Sequence, residues 1–115
     1  MDHLAAGHCV PCEGGTAPLK GEELERYKAK LNDEASGWQA VDEHHLAKKF
    51  PFKNFRGALA FVNKVGEIAE SEGHHPNINF GWGFVKILLW THAIDGLSEN
   101  DFFMAAKIEG LLTQE

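Results

Sequence analysis

The chain has 115 residues, 43% hydrophobic and 24% charged, with eight Phe and three Trp, a composition that fits one compact globular domain and excludes a disordered chain. A net charge of −6, with no basic run beyond Lys48–Lys49, excludes a primary role in gripping nucleic acid. The apolar run FVKILLW is far shorter than the ~20 residues a membrane span needs, and no basic-then-apolar leader is present, so the expected location is the cytoplasm.

Residues 1–18 read as a flexible tail, rich in Gly and Pro and without a period. They hold Cys9-Val10-Pro11-Cys12, which with His3 and His8 could form a zinc knot. The segment lacks the strand-to-helix setting of a redox motif and has no second C-x-x-C, so a tail without function outweighs both uses. A single domain is expected over residues 19–115. Leu24, Tyr27 and Leu31 predict a first helix from Gly21 to Leu31, ended by Ser36-Gly37-Trp38. Strand-like runs WQAV and HLAKKFPF flank a turn at Asp42–Glu43, with Leu46, Lys48 and Phe50 on one side of the second.

The second helix is expected from Asn54 to Ser71, with Phe55, Ala58, Leu59, Val62, Val65 and Ala69 as its stripe and Phe61 and Ile68 widening it. Gly73 ends it. Two further strands, Ile78–Trp82 and Phe84–His92, are nearly continuous in apolar content, which predicts burial on both faces. After a turn at Asp95–Ser98, Ser98-Glu99-Asn100-Asp101 has the form of a capping box before a third helix, Asn100–Leu112, faced by Met104, Ile108, Leu111 and Leu112. The order α-β-β-α-β-β-α predicts an α+β fold, a four-stranded antiparallel sheet with helices on one face. Apolar residues on more than one face of helices two and three, together with an open sheet edge, predict self-association.

Seven histidines stand out. His75, preceding Pro76, is held extended, and His74 then faces the other way, so the two rings line different walls of one corner. A hairpin of the last two strands brings His92 to that corner, and Glu70 is placed to fix the tautomer of one ring. Three imidazoles and a carboxylate suit a Zn or Fe site, and equally a metal-free acid–base site; spacing does not decide between them. His44–His45 read as surface residues without a task, and Trp82 and Trp90 as core or interface residues.

The pattern Glu70-x-x-x-His74-His75-Pro76, then Trp82, His92 after nine residues and Asp101 after eight, resembles the signature of pterin-4a-carbinolamine dehydratases. Thr91-His92, G-L-S-E-x-D over 96–101, FKNF over 52–55, and the ALAF and VGEIAE segments of helix two are similar as well, so the likeness runs from Leu19 to Leu112. The C-x-x-C tail is like that of some bacterial members. The resemblance implies the α-β-β-α-β-β-α fold, assembly as a homodimer or homotetramer, and no metal or other cofactor. It implies dehydration of a 4a-hydroxy-tetrahydropterin to a quinonoid dihydropterin, recycling the pterin of an aromatic amino acid hydroxylase. His74 and His92 take the acid–base roles in either order, His75 mainly holds the pterin, Glu70 orients a ring, and Pro76, Trp90 and Thr91 border the substrate. Asn77 stands where many relatives carry an acidic residue, and Gly73 where animal forms have Asp. The alternative is a binding role on the same fold, as a transcription-factor dimerisation partner or a Rubisco assembly chaperone; Glu70 and the three histidines, all retained, favour the enzyme.

Overall fold

The computed structural model describes residues 17–112 and shows three helices over a four-stranded sheet. The elements are α1 (Gly21–Glu34), β1 (Gln39–Val41), β2 (His45–Pro51), α2 (Phe55–Glu72), β3 (Asn77–Gly81), β4 (Phe84–Leu89) and α3 (Glu99–Leu112), with a 3₁₀ turn at His92–Ile94. The expected order and α+β class hold. The sheet order is β1-β2-β4-β3, antiparallel throughout. β2 and β3 therefore run in the same direction, a connection too long for a hairpin, and α2 makes the crossover.

Period-2 alternation sets the two faces of the sheet. Leu46 and Phe50 of β2 and Val85, Ile87 and Leu89 of β4 are buried under the helices, while Lys49, Asn77, Asn79 and Lys86 are exposed on the opposite face. The helices supply Leu24, Leu31, Phe61, Val65, Phe102, Met104 and Ile108 to the same core, each large side chain contributing about 1.5–3 kcal/mol by burial. The expected two-sided burial of β3 and β4 is thus wrong: only one face is covered, and their apolar runs end in residues such as Leu88 that are half-buried.

α2 is capped at both ends. The Asn54 side chain accepts from the Gly57 N–H at 2.7 Å, and Gly73, at φ 65°, takes the left-handed conformation that a glycine adopts without Cβ strain. Its buried residues are Ala58, Phe61, Val65 and Ala69. Phe55 and Leu59, expected in the core stripe, are 49% and 40% exposed because the sheet lies under the Phe61 side of the helix. Trp82 lies in the β3–β4 turn at 71% exposure, so it is no core residue. α1 runs three residues past Leu31, and β4 stops at Leu89, three residues short of His92. Among the described residues no helix is long and apolar enough to cross a membrane. Cys9 and Cys12 lie outside the described residues.

Candidate active site

Antiparallel pairing gathers the histidines at one end of the sheet. β3 pairs with β4 as Asn77↔Leu88, and continuing that register sets His75 and His74 alongside Trp90 and Thr91. β2 pairs with β4 as Leu46↔Leu89, and the same continuation sets His45 beside Trp90 from the other side. His44 and His45 thus come to the same end of the sheet as His74 and His75.

His74 follows the left-handed Gly73, and its N–H donates to Ala69 O at 3.2 Å. Its ring turns inward, with Nε2 2.6 Å from Asp101 Oδ1. Asp101 is fully buried, and its other oxygen, Oδ2, accepts from Thr91 Oγ1 and from the Ser98 N–H, both at 2.9 Å. An ionised carboxylate only accepts, so the proton directions follow along the chain. The Asn100 N–H donates to Ser98 Oγ (3.2 Å), Ser98 Oγ–H to Thr91 Oγ1 (2.7 Å), and Thr91 Oγ1–H to Asp101. His74 must then carry its proton on Nε2, which leaves Nδ1 bare in the neutral ring.

The capping box legible in the sequence forms in an altered way. Asp101 reaches back to the Ser98 N–H, while the Ser98 hydroxyl takes the N–H of Asn100. The same carboxylate caps α3 and orients His74. Asp101 was expected only as a cap and as part of a spaced signature; its buried site, reached from Thr91, Ser98 and His74 together, is what reveals the second role.

Glu70 contacts the ring of His75, whose Nε2 donates to Glu70 Oε2. Both side chains are well exposed, so this pair is looser and weaker than the buried one. His92 opens the 3₁₀ turn and does not end a strand. Its exposed ring stacks on Trp90, with centroids 4.6 Å apart and planes at 18°. Trp90 is half-buried on the open face, where the rings of His44 and His45 also lie against it at 5.4 and 6.1 Å. Thr91 is buried and bridges to Gly96, its N–H donating to Gly96 O at 2.8 Å. Gly96 is required there, since a Cβ would come within 2.7 Å of Pro18. Pro76 is half-buried between His75 and β3.

His44 and His45 have partners: His44 Nε2 lies 2.8 Å from Asp95 Oδ1 and His44 Nδ1 lies 3.1 Å from His45 Nδ1. Burial, and then the neighbouring His44, lower the pKa of His45 below the usual imidazole value. Among the described residues no three His, Cys, Asp or Glu side chains are gathered closely enough to hold a metal ion. What this end of the sheet offers is one imidazole clamped by a buried carboxylate, four more in His75, His92, His44 and His45, and an indole plane.

The sequence from residue 17 to 111 matches the family model described as pterin 4 alpha carbinolamine dehydratase. A chain from Rubrobacter xylanophilus, provisionally named a pterin-4-alpha-carbinolamine dehydratase, is 58% identical over 111 residues, covering 96% of this chain and 100% of that one. The solved structure of a transcriptional coactivator/pterin dehydratase from Brucella melitensis superposes with a TM-score of 0.73 at 30% identity, over 82% of this chain and 97% of the other. A pterin dehydratase-like protein identified as a RuBisCO assembly factor in the alpha-carboxysome superposes with a TM-score of 0.58 at 30% identity, over 68% and 92%. The chain belongs to the pterin-4a-carbinolamine dehydratase family.

Proposed function

We propose that the protein removes water from a 4a-hydroxy-tetrahydropterin to give the quinonoid dihydropterin. The observation that carries this reading, within that family, is the His74–Asp101 dyad at the sheet end that also holds His75, His92 and Trp90. Hydroxide is a poor leaving group, so the C4a oxygen needs a proton as its bond to carbon breaks, and N5 must lose one. His74 suits the base. Its bare Nδ1 accepts the N5 proton, and the resulting imidazolium lies against the Asp101 carboxylate, which stabilises it. His92, exposed and in exchange with water, acts in its imidazolium form: it supplies the proton with which the hydroxyl leaves as water and is left neutral. The two transfers balance, and solvent returns both rings to their starting states. Stacking on Trp90 holds the His92 ring in plane, and His75, steadied by Glu70, borders the pterin without transferring a proton.

The reading calls on proton transfer between imidazoles and the pterin, and on no metal. In this role the protein recycles the pterin of an aromatic amino acid hydroxylase. It works as a homodimer or homotetramer, a reading supported by the exposed Phe55, Leu59 and Trp82 and by sheet edges at β1 and β3. The structural relatives described as a coactivator and as a RuBisCO assembly factor support a second reading, a binding role on the same fold. Stopped-flow dehydration of synthetic 4a-hydroxy-tetrahydropterin decides between them: the enzyme accelerates decay well above background, and a chain that leaves the background rate unchanged is a binding protein.

A further inference from the structure

His44 and His45 have no place in the mechanism above, yet the fold ties them to the site from two sides. They follow the β1–β2 turn, in which Asp42 and Glu43 take φ of 54° and 53° and the His44 N–H donates to Val41 O at 2.9 Å. This mirror-image turn aims both rings at Trp90, the residue on which His92 stacks. Asp95, the partner of His44, closes the turn that His92 opens, its N–H donating to His92 O at 3.2 Å.

The contacts fix the protons. Ionised Asp95 only accepts, so His44 carries hydrogen on Nε2. Neutral His44 then has a bare Nδ1, which must accept from His45 Nδ1–H at 3.1 Å. That leaves Nε2 of His45 bare. We propose that Asp95, His44 and His45 form a proton relay that presents His45 Nε2 as a further acceptor at the pterin site, a role that rests on the dehydratase reading. The bond that breaks is a pterin N–H, its electron pair staying on the pterin nitrogen, and one N–H bond forms at His45 Nε2. The Nδ1 proton of His45 passes to Nδ1 of His44, and the charge comes to rest on His44 beside the Asp95 carboxylate. No electrons are transferred, and the exposed Asp95 and partly exposed His44 let the proton leave to water.

Half-buried His45 has a pKa below the usual value, through burial and then through His44, so its bare form prevails at neutral pH. Asp42 on the turn opposes that shift and Lys86 on β4 adds to it; with Asp95 on the 3₁₀ turn, these are the charged groups facing the pair.

Two readouts test the relay. Long-range ¹H–¹⁵N NMR of the labelled wild-type chain at neutral pH is expected to show His44 as the Nε2–H tautomer and His45 as the Nδ1–H tautomer, with the preference lost in Asp95→Asn. In the dehydration assay His45→Gln lowers kcat/KM on the order of tenfold at neutral pH, the effect of one hydrogen bond to a developing charge. Asp95→Asn moves the acid limb of the pH profile to lower pH, because the carboxylate no longer favours the protonated pair. A purely structural role would scale the profile without moving it, and that result overturns the relay. So does a His45 proton found on Nε2 in an active wild type. A wild-type chain that gives no acceleration overturns the dehydratase reading and the acceptor role with it, whatever the tautomers.

Discussion

Replacing Asp101 with Asn changes one atom of a fully buried side chain and separates orientation from shape. The carboxylate takes three donors: His74 Nε2–H at 2.6 Å on one oxygen, and Thr91 Oγ1–H and the Ser98 N–H at 2.9 Å on the other. An amide can keep its oxygen toward Thr91 and Ser98 and turn its NH₂ toward His74. The reverse placement would set NH₂ against two buried donors, at about 1–3 kcal/mol for each unsatisfied group. The first placement therefore wins. His74 must then accept at Nε2, so its proton moves to Nδ1, the nitrogen proposed to act as base. Stability is expected to fall only by about 1–2 kcal/mol, the difference between a charge-assisted and a neutral bond. The rate should fall by about 10²–10⁴-fold, as for loss of a proton-transfer group. Stopped-flow dehydration gives the rate, a denaturant titration the stability, and imidazole NMR the tautomer. An Asp101→Asn protein with wild-type kcat, or with His74 still protonated on Nε2, would refute the orienting role.

Other outcomes follow from the same contacts. Lys48 and Glu109 form a mostly buried pair, with the Trp38 indole N–H donating to Glu109 at 3.0 Å and Lys48 donating to Ser36 O at 2.7 Å; Glu109→Ala should cost about 2–4 kcal/mol in a denaturant titration, and Lys48→Met with Glu109→Leu distinctly less, because no charge is left buried alone. Gly73→Ala should lose about 1–2 kcal/mol, the strain of a Cβ at φ 65°, and should also disturb His74, whose N–H is set by that turn; a neutral effect would count against the left-handed cap. The lowered pKa of His45 makes the unfolded chain hold more protons than the folded one between the folded pKa and the ordinary value of 6.5. Stability should therefore rise with pH across that window, reach its full value above it, and lose part of this slope in His45→Gln; thermal unfolding from pH 5 to pH 8 measures it, and an unchanged slope would contradict the shift. Trp82→Glu, at the most exposed large apolar side chain among the described residues, should move the mass seen by light scattering toward smaller species, and an unaltered mass would place the interface elsewhere.

The order of elements was legible because each carries its own period and its own stop signal. Asn54 and Gly73 bracket α2, and Ser98-x-x-Asp101 opens α3. The sheet order was not legible: hairpins say which strands adjoin, but only packing of α2 across the sheet decides that β4 lies between β2 and β3. Reading β3 and β4 as buried on both faces failed because an uncovered face can still hold apolar residues such as Phe84 and Leu88. Phe55 and Leu59 fit the helical period as well as Phe61 does, and periodicity does not say which flank of a broad stripe meets the sheet. At the candidate site, spacing singled out Glu70 and the three histidines. It did not reveal their partners: Glu70 serves His75 where either ring was open, and His74 is held by a carboxylate 27 residues away. His44 and His45 come against Trp90 only because β2 lies beside β4, which no local pattern reveals.

The most direct test is the dehydration assay on three single alanine variants, corrected for the uncatalysed reaction. His74→Ala and His92→Ala should each lose kcat, by about 10²–10⁴-fold before compression toward background, while His75→Ala should mainly raise KM and leave kcat nearly intact. A His75→Ala protein with normal KM and collapsed kcat, beside a His74→Ala protein that turns over normally, would contradict the assignment of proton transfer to the ring held by Asp101.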